Sequence, residues 1–108
     1  MVFEYLRIKY IPMKTLILKD IVKNSSSNEQ GMILYNYLQN AFLNKDTLVL
    51  YVDSDMSMSS SFLNSSIGLF LDNYGLDSFQ ETVKFKGSKN QFSRLADYIT
   101  KYSSLYPV

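Results

Sequence analysis

Residues 56–75 read MSMSSSFLNSSIGLFLDNYG and stand directly behind TLVLYV at residues 47–52. The run at 47–52 is almost continuously apolar, the pattern of a strand covered on both faces, and Asp53 ends it. Behind it, Leu63, Ile67, Phe70 and Tyr74 recur at helical spacing with Leu71 beside them, and Phe62, Ser66 and Leu69 form an adjacent row. This spacing predicts a helix from about residue 60 to residue 73, with Gly75 placed as a C-cap. The helix starts among Ser57, Ser59, Ser60 and Ser61. A serine N-cap accepts a bond from an otherwise unpaired helical N–H and is worth ~1 kcal/mol. One serine satisfies that need, so the stretch holds more hydroxyls than capping uses. A helix start also favours an anion, including a phosphate carried by one of its own serines, which adds about −1.5 to −2 charge.

Working outward, residues 2–11 are aromatic and β-branched, and Arg7 and Lys9 alternate with Ile8 and Tyr10, as in a strand. Pro12 interrupts it, and residues 14–22 read as a second strand, close enough for an antiparallel hairpin. Residues 1–12 also read as an N-terminal extension or edge strand ahead of Met13. Ser27 with Gln30 forms a capping-box pattern, and Leu34, Tyr37, Leu38, Ala41 and Phe42 share one helical face, closed at residues 44–46. Residues 76–80 read as a connector and 82–86 as a strand, with Val83 and Phe85 on one side and Lys84 and Lys86 on the other. Ser88 with Gln91 opens a last helix whose stripe is Phe92, Leu95, Ile99 and Tyr102. The order is β-β-α-β-α-β-α: an α/β fold with a small mixed sheet of about four strands and helices packed on it, one domain over residues 1–108.

The chain has neither histidine nor cysteine, which removes the commonest general base, a thiol nucleophile, thiolate metal sites and disulfides. A net charge of +1 offers no large footprint for nucleic acid or an anionic membrane, and the apolar segments are far shorter than the ~20 residues of a span. The N-terminus lacks the pattern of a signal peptide, so a cytoplasmic protein is expected.

Two segments then carry a resemblance: LVLYVDSDMSMSSSFLNSSIGLFLDNYG, and MKTLILKDIV with the helix that begins near EQG. With the order of elements, from about Met13 to Tyr102, the chain resembles the STAS-like domain, a bacterial relative of the STAS domains of anti-sigma factor antagonists. In those antagonists the step reads roughly Asp-Ser-Ser-Gly-Leu, and a partner ATP-dependent kinase phosphorylates the second serine, which controls partner choice. On this chain Ser59 takes the aspartate position, Ser60 the first serine, Ser61 the phosphorylated serine, Phe62 the glycine and Leu63 the leucine. Ser59 thus removes a negative group, and Phe62 puts a ring where backbone could approach closely; both bear on phosphorylation and leave the fold resemblance intact. The resemblance implies a non-catalytic regulatory module without cofactors. It would bind a histidine-kinase-like ATPase or anti-sigma factor through residues 57–63, with Asp53, Ser57, Ser59, Ser60, Ser61, Phe62 and Asn64 as partner-facing residues. Ser61 or Ser60 would be the phosphorylation site.

Two other functions start from the residues themselves. Asp53 and Asp55 are oxygen donors for a hard cation, the basis of a small magnesium-dependent enzyme, but no base or glycine-rich phosphate loop accompanies them. Lys84, Lys86, Lys89 and Arg94, with Tyr98 or Phe92, are the candidate nucleic-acid surface, against which the near-neutral charge and the core-like spacing of Phe92 argue. Nine tyrosines and seven phenylalanines are mostly core by position, but Tyr35, Tyr51 and the tyrosines at 102 and 106 cannot all be buried; with the extra strand at 2–10 they make a homodimer an expectation, through an edge or a patch.

Overall fold

The structure, a computed structural model, describes residues 13–105. Its elements are β1 (Met13–Ile17), the single turn α1 (Leu18–Ile21), α2 (Asn28–Leu43), β2 (Thr47–Tyr51), α3 (Ser60–Leu63), a π-turn (Asn64–Gly68), α4 (Leu69–Thr82), β3 (Val83–Lys86) and α5 (Lys89–Leu105). The strand expected over residues 2–11, and with it the hairpin, lies outside the described residues.

Among the described residues the sheet has three strands in the order β1-β2-β3, and both pairings are parallel. Lys14 pairs with Leu48 and Leu16 with Leu50; Leu48 and Leu50 in turn pair with Val83 and Phe85. These positions share one face, where Leu16, Leu48, Leu50 and Val83 are buried and join Leu34 and Leu38 of α2 and Phe62, Phe70 and Phe79 in one core. Each parallel connection takes a right-handed crossover, and an order without reversal sends successive crossovers to the same side.

Three expectations are corrected. The run at 47–52 is covered on one face only: Leu48, Leu50 and Val52 are buried, whereas Tyr51 is 45% exposed. The strand expected over 14–22 stops at Ile17, because the chain there turns through α1, burying Leu18 completely. Residues 76–80 are helical rather than a connector.

From Ser60 the helix runs as expected, with a π-turn in its middle, until Gly75 breaks it at φ 88° and ψ 169°, a backbone region open to glycine alone. Phe62, Leu63, Ser66, Ile67, Phe70 and Leu71 are all buried, so this helix is enclosed on most sides. The π-turn frees backbone carbonyls, and two serines take them. Ser66 Oγ donates to Phe62 O at 2.7 Å, and Ser65 Oγ donates to Ser61 O at 3.0 Å. Gly31 of α2 lies against this turn, where a Cβ would stand 2.6 Å from Phe62 O and collide with Ser65.

Helix α2 ends in a Schellman arrangement: Asp46 N donates to Ala41 O (2.9 Å), Lys45 N donates to Phe42 O (3.1 Å), and Lys45 sits at φ 59°. On α2 the buried face is Leu34, Tyr35, Leu38 and Ala41, so Tyr35 replaces the expected Tyr37, which is exposed. Tyr35 Oη accepts from Asn73 Nδ2 at 2.8 Å and Gln39 Nε2 at 3.1 Å, and Gln39 Nε2 also donates to Tyr74 Oη at 2.8 Å. On α5, Leu95 and Gln91 are buried, while Phe92, expected in the core stripe, is 59% exposed.

Candidate interaction site

The loop from Asp53 to Ser59 joins β2 to α3 at the carboxyl edge of the sheet, where ligands of open parallel sheets usually sit. It is fastened from two sides. On one side, the α1–α2 loop contributes Ser25 Oγ, which donates to Ser57 O at 2.7 Å, and Ser25 O, which accepts from Ser59 N at 3.0 Å. Ser26 O accepts from Ser59 Oγ at 2.8 Å. On the other side, α5 contributes Gln91 and Arg94. Gln91 Nε2 donates to Asp53 O and, at 2.6 Å, to Met56 O; Arg94 Nε donates to Met58 O. Met58 itself is buried at 1% exposure, which anchors the loop in the core.

Gln91 spends its whole amide group here. Its Oε1 accepts from Ser88 N (2.9 Å), and its backbone N donates to Ser88 Oγ (3.2 Å), the reciprocal capping box expected at the start of α5. Its Nε2 is then free to hold the β2–α3 loop. At α2 the box is partial: Ser27 Oγ accepts from Gln30 N at 3.3 Å, but Gln30 Oε1 accepts from Lys23 N instead.

Ser59 is the N-cap of α3, its Oγ accepting from Phe62 N at 3.1 Å, so this hydroxyl is committed to structure. Ser57, Ser60, Ser61 and Asn64 are exposed and form a ridge at the helix start. Asn64 Oδ1 accepts from Tyr98 Oη at 2.7 Å, while Ser60 and Ser61 hydroxyls have no hydrogen-bond partner among the described residues. Phe62 stands apart from the other expected partner-facing residues. Its ring is completely buried, so the residue in the glycine position points into the core and does not crowd the surface. Beside the ridge, Ser60 lines a groove of about 340 Å³ together with Asn90, Arg94, Asp97 and Lys101 among others.

Asp53 lies below the ridge. Its Oδ2 is 2.7 Å from Lys19 Nζ, an ion pair that the spacing of residues in sequence did not announce. The hydrogen bond and charge of Asp53 raise the pKa of Lys19 above its ordinary 10.5. The ammonium takes the oxygen a hard cation would need. Asp55 is exposed nearby, and no group of three or more acidic side chains among the described residues converges on a metal position. A crevice of about 810 Å³ opens here, lined by Lys19, Tyr51, Asp53, Lys86, Lys89 and Phe92 among others. The basic residues considered for nucleic acid are divided: Lys84 Nζ donates to Gln80 O at 2.7 Å, Lys86 and Lys89 line the crevice, and Arg94 faces the loop.

Reasoning from sequence missed Ser25, Ser26 and Lys19. Each lies 30 or more residues from its partner in the chain, and no local pattern encodes such a pairing. No helix among the described residues is long and apolar enough to cross a membrane.

A family profile described as a STAS-like domain of unknown function matches residues 30–91, more than half of the 108-residue chain. No curated protein and no solved structure matches it. The chain belongs to this STAS-like family.

Proposed function

We propose that this member of the STAS-like family is a non-catalytic, regulatory protein-interaction module of the kind used by anti-sigma factor antagonists. It docks a protein partner on the ridge of Ser57, Ser60, Ser61 and Asn64. The observation that carries this reading is the contrast between a loop fastened by Ser25, Ser26, Gln91 and Arg94 and two exposed serine hydroxyls, Ser60 and Ser61, left without partners on it. A surface held rigid in advance loses little conformational entropy when it binds. Phosphorylation at Ser61, or at Ser60 beside Arg94 and Lys101, is the switch that such a surface supports, since the new charge meets helix N–H groups and nearby cations. The partner class is a histidine-kinase-like ATPase or an anti-sigma factor in the cytoplasm.

The test is binding of the purified chain to a histidine-kinase-like ATPase from the same genome, followed by ATP addition and mass spectrometry. A complex weakened ~10-fold or more by Ser61→Glu or Asn64→Arg is expected, with phosphate on Ser61 or Ser60. Binding indifferent to both substitutions would remove the ridge as the docking surface.

A further inference from the structure

The sheet itself carries a second surface, independent of the serine ridge. Strand order β1-β2-β3 has no reversal, so the crossovers share a side and, among the described residues, no crossover covers the other face. Sheets built wholly of parallel strands ordinarily have both faces covered. Here the outward positions are Met13, Thr15 and Ile17 on β1 and Thr47, Val49 and Tyr51 on β2, apolar but for the two threonines, and basic on β3. Met13 is 63% exposed and Ile17 37%, and Tyr51 is exposed alongside half-buried Val49. Register sets Lys84 beside Val49 and Lys86 beside Tyr51. The only two ion pairs among the described residues are Lys14–Asp46 and Lys19–Asp53, so neither Lys84 nor Lys86 is neutralised by a carboxylate.

We propose that this open face binds one amphipathic helix of a protein partner, its apolar stripe across β1 and β2 and its acidic side chains over β3. The dimensions fit a single helix. Strands of four or five residues are about 13–17 Å long, and three of them span about 10–15 Å across, against a helix about 10–12 Å in diameter. Charge selects the occupant. A second copy laid face to face would offer the same two lysines and no acid, because no Asp or Glu occupies an outward position on any of the three strands. The first twelve residues are no better matched, with Glu4 outnumbered by Arg7 and Lys9. A helix with a leucine stripe and a glutamate flank supplies the missing layer and pairs both ammonium groups.

Two synthetic amphipathic peptides with the same leucine stripe, one flanked by glutamates and one by lysines, are titrated into the full isotope-labelled chain. The acidic peptide is expected to shift the amide signals of Ile17, Val49, Tyr51, Lys84 and Lys86, and to bind about 10-fold tighter or more than the basic one. The double substitution Lys84→Glu with Lys86→Glu, both at exposed positions, is expected to reverse that preference while Ser61→Glu leaves it unchanged, which separates this face from the ridge. Equal affinity for both peptides, no binding, or shifts confined to other elements would overturn the proposal. Covalent labelling of Tyr51 settles the competing occupants: modification of the intact chain at every concentration supports an open face. Protection relieved only by dilution, or only by removing residues 1–12, assigns the face to a second copy or to the chain's own N-terminal segment and overturns the proposal.

Discussion

Gly31 and Lys45 show how much one backbone position can contribute. Gly31 is buried at the crossing of α2 with the π-turn, where a methyl group would meet the Phe62 carbonyl and the Ser65 side chain. Helix propensity alone favours alanine by ~1 kcal/mol, but the close contact reverses the sign. Gly31→Ala is therefore expected to destabilise the fold by about 1–3 kcal/mol, read as a lower urea midpoint with unchanged slope. Lys45 is the opposite case. It holds a left-handed conformation at φ 59° after α2, which costs an L-residue ~1 kcal/mol, and its side chain is exposed. Lys45→Gly is expected to raise stability by about 0.5–1 kcal/mol, seen as a higher melting temperature. Tyr35 contributes a pH dependence. Burial, foremost, raises its pKa above the ordinary 10.0. A folded value above the unfolded one gives stability that is complete below pH 10.0 and lost as pH rises from there through the folded value. Tyr35→Phe is expected to flatten that alkaline loss in denaturant titrations. If the alkaline slope stays the same, Tyr35 is not its source.

At the scale of elements, the β2–α3 loop gets its shape from two neighbours that lie far from it in sequence. Helix α5 contributes one glutamine that caps its own start and fastens the loop at Asp53 and Met56. Gln91→Ala removes both roles, while Ser88→Ala removes the cap alone. Each is expected to cost about 1–2 kcal/mol, but only Gln91→Ala should accelerate amide hydrogen exchange across residues 53–59. Equal exchange in the two variants would show that the loop is held by the α1–α2 side alone. The serines of the central stretch sort in the same way. Ser59 caps, Ser65 and Ser66 satisfy carbonyls of the π-turn, and Ser60 and Ser61 are left for the surface.

At the scale of the molecule, the core of the described residues gathers on one side of the β1-β2-β3 sheet, with Phe70 among Phe42, Tyr74 and Phe79 at ring centroid distances of 5.7, 5.1 and 5.8 Å. Phe70→Ala is expected to cost about 3–5 kcal/mol, a large share of the ~5–15 kcal/mol that a domain holds, and to leave much of the chain unfolded at moderate urea. The apolar run at 47–52, the helix from Ser60 to the break at Gly75, both serine-glutamine starts and the family were legible in the sequence. All depend on contacts within about one turn or one strand, which composition and spacing record directly. Only the tertiary structure decided that β2 is covered on one face. Coverage depends on strand order and crossover side, and a run of apolar residues reads the same in either case. It decided equally that Phe62 turns inward, that Phe92 turns outward, and that Ser25, Lys19 and Gln91 converge on the loop behind the serines. These are pairings across 30 or more residues, chosen by how the layers pack, and no local pattern along the chain carries them.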